Sequence, residues 1–227
     1  MNITYRPFTA EEAWDFLECR HRSFHSHLKK FGYKYDMFIP EHPAIREMYD
    51  QESLTPEQLQ KYRDIFFNEI YNVEDLQQLD SILENEALPA LQSVVDTLMP
   101  IAKNWGAKFP DNVEIQTTYG GGGSYWTEEW VIIFRMFHWR VYPPQNVVGL
   151  LQHEFIHLLI ELPIIQKYNV PQDLKERIVD IIGFEYFGRP VQPLFENSFA
   201  NKYITRYTIE NDLPGAVEQM MADYSAL

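Results

Sequence analysis

Val147 to Leu162 reads VVGLLQHEFIHLLIEL, an apolar run broken only by a few polar residues, among them His153, Glu154 and His157. Pro143, Pro144 and Asn146 before it are helix-start signals, and Pro163 after it is a stop signal. On a helix of 3.6 residues per turn, His153 and His157 are i, i+4 neighbours. Both imidazoles then project from one face and can grip a single metal ion, with Glu154 beside them. Leu151, Phe155, Leu158, Leu159 and Leu162 cover the opposite side, so the helix is mostly buried and its polar residues need partners. The competing reading is a core helix with two satisfied histidines, because short motifs also arise by chance.

A zinc site that keeps one position open needs a third protein ligand. Glu161 is the nearest acid after the histidines, but eight residues at about 1.5 Å rise put it roughly 12 Å from His153 along the axis. The ligand must come from another element. After the connection LPIIQKYNVPQ, a helix is expected over 173–187, with Glu176 in its first turn, Asp180 one turn on and Gly183 beyond. Glu176 is the candidate third ligand, and Asp180 is the candidate acceptor for the spare ring N–H of a ligand histidine. Gly183 lets the two helices approach. Glu176 also suits a capping box with Asp173, and Asp180 also suits a solvent-facing position. The isoleucines and valine at 178, 179, 181 and 182 argue that acids in this helix are buried and therefore employed.

Upstream, Val113 to Tyr119 and Trp130 to Trp139 are rich in β-branched and aromatic residues, with Gly120 to Gly123 between them. A small sheet just before the motif helix is expected. The glycines mark either a turn or a place where backbone lies close to a ligand, and Tyr125 and Trp126 beside them are candidate pocket-lining residues. His138 reads as a satisfied strand histidine. Residues 1–110 read as helical after a short opening strand, with helices near 10–29, 56–70, 74–87 and 89–104. Thr9/Glu12 and Thr55/Gln58 form capping boxes at two of the starts, and Pro89 and Pro100 are expected to break or kink the last helix. Gly106 and Pro110 place a boundary between a helical region 1–110 and a metal-binding region 111–227, which also read as one compact domain.

A formal charge of −14 argues against nucleic-acid binding, which needs a basic face to replace counterions. It favours, at long range, basic peptides. Arg20, Arg22, Lys29 and Lys30 read as a solvated helix face, and His21 and His25 as surface histidines. The single cysteine, Cys19, reads as packing. With no leader-like start and no run near the roughly 18 apolar residues of a span, a cytoplasmic chain with no membrane partner is expected.

His153-Glu154-Phe155-Ile156-His157, then eighteen residues, then Glu176, resembles the HEXXH-X18-E signature of gluzincin metallopeptidases. Glu176 and Asp180 resemble the E-x-x-x-D of its thermolysin-like branch. The resemblance covers about 113–187. No G-x-M-E-N anchor stands upstream, and LKERIVD stands where aminopeptidase relatives have W-x-x-E-G. What the resemblance implies is an α+β, zincin-like fold. A small twisted sheet lies over the active-site helix, with a largely helical N-terminal half and a helical C-terminus. It also implies Zn2+ as cofactor, a peptide or protein as substrate, and Glu154 as general base rather than ligand. An edge strand bordering the cleft, for which Gly120 to Trp126 is the candidate, pairs with extended substrate, and a downstream Tyr or His stabilises the oxyanion. Tyr203 and Tyr207, i and i+4 on a helix expected over 194–209, are the candidates for that last role, with aromatic packing as the alternative. The expected function is zinc-dependent peptide hydrolysis. The alternatives are an inactive metallopeptidase-like binding or regulatory module, and a helical interaction protein whose motif is accidental.

Overall fold

The run NVEIQTTY forms β2 (Asn112–Tyr119), and the sheet is built outward from it. The structure, a computed structural model, describes residues 1–31, 39–120, 123–136, 144–189 and 198–226. β1 (Asn2–Pro7) lies parallel to β2 with Tyr5 opposite Ile115. β3 (Gly123–Trp126) and β4 (Val131–Met136) follow, and β4 pairs in parallel with the other side of β2. β3 pairs antiparallel with β4 and stands at the end of the order β1-β2-β4-β3. Ile115, Ile132, Ile133 and Phe134 are buried, as expected where a strand is covered on both faces. Gly121, Gly122 and His138, and the expected strand beyond Met136, lie outside the described residues.

Between β1 and β2 most of the described residues are helical. α1 (Ala10–Ser26) starts at the Thr9/Glu12 capping box, and α3 (Pro56–Ile65) at the Thr55/Gln58 box. Between them stands α2 (Pro43–Asp50), which opens on a proline. Its cap is His42, whose Nδ1 accepts the Ala44 N–H at 3.2 Å. α4 (Val73–Ile82) runs through a π-helical turn, Leu83–Ala87, into α5 (Leu88–Ala102). Pro89 falls in the first turn of α5, directly after the π-helical turn, and Pro100 lies inside the helix.

α6 (Pro144–Ile160) carries the histidine motif. Contrary to expectation, Pro163 does not end it: the backbone widens into a π-helical turn over Glu161–Gln166. A wider turn accommodates a residue that lacks an N–H and crowds the preceding carbonyl. α7 (Gln172–Phe187) follows and ends at Gly188, φ 62°, in the left-handed conformation typical of a helix stop. The single helix expected over 194–209 is not formed. A 3-10 turn at Phe199–Lys202 is followed by α8 (Arg206–Asn211), because Thr205 and Thr208 form a capping box that starts a new helix between Tyr203 and Tyr207. α9 (Leu213–Tyr224) completes the chain.

The division at 110 separates neither sheet nor core. β1 belongs to the same sheet as β2, and one apolar cluster includes Trp14, Phe66 and Leu91 as well as Phe155, Ile178 and Val217. Trp105 Nε1 donates to the Ile209 carbonyl at 2.8 Å, tying the end of α5 to α8. Two surface expectations are also corrected. His21 is buried and its Nε2 lies 2.8 Å from the Gln51 carbonyl, while His25 Nε2 lies 2.9 Å from that of Tyr49, because this face of α1 packs on α2. Cys19 is exposed rather than packed. Asn146–Gln166 has the length and hydropathy of a membrane span, but 56% of its most apolar window is buried inside the protein. The same composition therefore serves a core helix here.

Candidate metal centre

α6 and α7 bring His153, His157 and Glu176 together. One Glu176 oxygen, Oε2, lies 3.2 Å from His153 Nε2 and 3.4 Å from His157 Nε2, and the two Nε2 atoms are 3.0 Å apart. Ligands about 2.0–2.2 Å from a tetrahedral zinc stand roughly 3.3–3.6 Å from one another, so the three atoms have nearly the spacing of three corners of such a site. Each of the three residues offers one ligand atom, all within 4.8 Å of one another, and the cluster could hold a metal ion. Two ring nitrogens this close, both facing one carboxylate oxygen, need a proton or a cation among them.

The electrostatics favour a cation. Burial lowers the His157 pKa to about 4, against the opposing effect of Glu176, so the ring is neutral at pH 7, as a metal ligand must be. Burial pushes the Glu176 carboxyl up, but the hydrogen bonds to His153 and His157 outweigh it and hold the group well below the usual carboxylate range. Gln172 Nε2 donates to its other oxygen, Oε1, at 2.6 Å. Glu176 thus faces the histidines instead of capping α7, whose N-cap is Pro171 with no side-chain bond.

Glu154 is buried beside the cluster and lies against β3. A Cβ built on Gly123 would stand 2.4 Å from Glu154 Oε1 and 2.6 Å from its Cγ, so only glycine leaves the carboxylate where it is. Two residues along the strand, Tyr125 stacks on His157, with centroids 5.0 Å apart and rings 12° from parallel. Its hydroxyl donates to Glu161 Oε2 at 2.6 Å, and Lys175 Nζ reaches the same oxygen at 3.1 Å. Successive inward positions of β3 therefore cover the motif glutamate and one motif histidine. Trp126, on the other face, is 43% exposed and lines a concavity of about 520 Å³ with Phe8, Phe16 and Arg20, which shares no residue with the cluster.

Asp180 is buried on α7, but neither ring donates to it: the Nδ1 atoms of both histidines are buried without a hydrogen-bond partner among the described residues. The charge of Asp180, with that of Glu154, acts instead on Arg189, whose pKa is lowered by burial against their attraction. Gly183 serves this arginine. A Cβ there would stand 3.2 Å from Arg189 Cδ, and one on Gly149 of α6 would stand 3.9 Å from its Nε. The glycine expected to let two helices touch makes room for a side chain between them. Tyr203 donates to Asp223 Oδ2 at 2.5 Å and Tyr207 is 74% exposed; neither hydroxyl is bonded to the cluster among the described residues. They do not stand on one helix, since Thr205 caps the start of α8 between them.

Spacing excludes Glu161 as a ligand, and the structure engages it with Tyr125 and Lys175. In the sequence Tyr125 is legible as a pocket-lining residue of the candidate edge strand but not as a partner of His157, and Arg189 gives no signal beyond Gly149 and Gly183. Compared with known protein families, curated proteins and solved structures, the chain matches none.

Proposed function

We propose that the protein is a zinc-dependent peptidase in which His153, His157 and Glu176 hold the metal and Glu154 is the general base. The observation that carries this reading is the convergence of three ligand atoms with a non-ligand carboxylate beside them, seated where the missing side chain of Gly123 leaves room for it. When bound, zinc supplies Lewis-acid polarisation of a carbonyl and lowers the pKa of water toward neutrality. Glu154 accepts a proton from the attacking water and returns it to the amide nitrogen as the carbon–nitrogen bond breaks. Arg189 replaces Tyr203 and Tyr207 as the candidate donor for developing negative charge. Its Nη1 is buried with no hydrogen-bond partner among the described residues, and an arginine held in a dry site is a strong electrostatic stabiliser.

A metal-binding module without activity is the second reading, and the observation on its side is that neither histidine Nδ1 has a carboxylate partner among the described residues. One variant separates the two. Glu154→Gln keeps shape and both histidines, so zinc content near one per chain and the melting temperature are expected to match wild type. Cleavage of a mixed peptide library is expected to fall by roughly 10²- to 10⁴-fold. Equal cleavage by wild type and variant would remove the peptidase reading, and full zinc content in a His153→Ala, His157→Ala double variant would remove the metal centre.

A further inference from the structure

A ligand histidine is ordinarily oriented by a hydrogen bond from its second nitrogen to a carboxylate or carbonyl, which fixes both the ring plane and the tautomer. Neither Nδ1 has such a partner among the described residues. Something else must hold the His157 ring in a plane that aims Nε2 at Glu176. The only ring lying flat on it among the described contacts is Tyr125, at 5.0 Å and 12°.

We propose that Tyr125, Glu161 and Lys175 form a latch that orients the His157 imidazole, ring stacking doing what a hydrogen bond to Nδ1 does elsewhere. The inference rests on the metal-centre reading above and gives it a positioning device. Three elements meet in the latch. Tyr125 comes from β3, Glu161 opens the π-helical turn after α6, and Lys175 precedes the ligand Glu176 on α7. The Tyr125 hydroxyl and Lys175 Nζ share Glu161 Oε2, and Lys175 Nζ also stands 5.3 Å from the Tyr125 ring centroid. The Lys175 and Glu161 side chains are only 13% and 14% exposed, so this is a largely desolvated ion pair. A pair of that kind is costly to form and costly to break, since removing one partner leaves a buried charge alone. With Glu161 held by Lys175, the hydrogen bond from the Tyr125 hydroxyl to Glu161 sets the tyrosine ring angle. The ring in turn limits rotation of His157 about its side-chain bonds, while Gly123, two residues back, holds the same strand against Glu154.

The latch predicts that metal affinity and ligand geometry depend on residue 125 even though it donates no ligand atom. The test uses the full chain stripped with a chelator, then titrated with Zn2+ by competition and with Co2+ by visible absorption, with apo melting temperatures recorded alongside. Tyr125→Leu, which removes the stack, is expected to weaken zinc binding by roughly 10–100-fold, the usual cost of losing an outer-shell partner, and to change the cobalt spectrum. Tyr125→Trp, which keeps an aromatic face, is expected to restore affinity toward wild type. Tyr125→Phe, which keeps the ring but frees it from Glu161, is expected to fall between. Wild-type affinity and spectrum in a folded Tyr125→Leu protein would overturn the latch and leave the metal centre standing. If wild type binds neither ion, the metal centre falls and the latch with it. Should Tyr125→Leu fail to fold, Tyr125→Phe decides: a weakened site with a shifted spectrum supports the latch, and an unchanged one overturns it.

Discussion

Gly123 shows how one residue without a side chain sets the chemistry of another. The Cβ that any other residue would carry falls within 2.7 Å of three Glu154 atoms. A flexible glutamate can swing aside, but only by leaving its place at the cluster. Gly123→Ala is therefore expected to leave zinc content unchanged and to lower any Glu154-dependent hydrolysis by up to the roughly 10²-fold that a misplacement of about 1 Å costs. The check is peptide cleavage alongside metal analysis, and parallel loss of both would show that the strand, not the glutamate, had moved. The same scale explains which site residues were legible. His153, His157 and Glu176 stand in a pattern whose helical spacing can be computed. Spacing and the apolar neighbours on its helix give Asp180 a role at a histidine, and neither reveals that Arg189 competes for its charge.

The pairing of α6 with α7 illustrates the element scale. The two helices carry glycines, Gly149 and Gly183, on the sides that Arg189 occupies. Alanine at 183 would gain about 1 kcal/mol of helix propensity, set against a contact of 3.2 Å that the arginine must relieve. Gly183→Ala is thus expected to change stability little. Gly183→Leu must expel the arginine or part the helices and is expected to cost about 1–3 kcal/mol, as overpacking does. Urea unfolding of the three proteins checks the order. Helix existence was readable from periodicity and caps in α1, α3, α6 and α7. Helix ends were less so, because the π-helical turns at Leu83–Ala87 and Glu161–Gln166 let prolines sit where a stop was expected, and because the His42 cap of α2 is an unusual one.

Across the whole molecule, the N-terminal helices and the sheet are joined through contacts such as Tyr119, at the end of β2. It accepts the Asn72 N–H at 2.8 Å and donates to the Asn72 carbonyl at 3.1 Å. Burial pushes its pKa from 10.0 up to about 12, with the Asn72 bond opposing. Raising the folded-state pKa of a phenol means that the folded state prefers the protonated form. This contribution is fully present below pH 10 and is lost as pH rises toward 12. Stability is expected to decline through that window in wild type and to decline less steeply in Tyr119→Phe, which is less stable at neutral pH for want of two hydrogen bonds. Urea unfolding at several pH values reads this directly, and parallel curves would show that Tyr119 ionises as easily folded as unfolded.

The α+β character, the motif helix, the separate helix bearing Glu176 and the two strands before them follow from the sequence, because periodicity, capping and turn chemistry are local. The parallel placement of β1 on β2 and the antiparallel position of β3 beside α6 were decided only in three dimensions. So were the stacking of Tyr125 on His157 and the insertion of Arg189 between two glycines. Such contacts join residues far apart in the chain, and what selects them is the space left once the core has packed, which no local pattern of residues encodes.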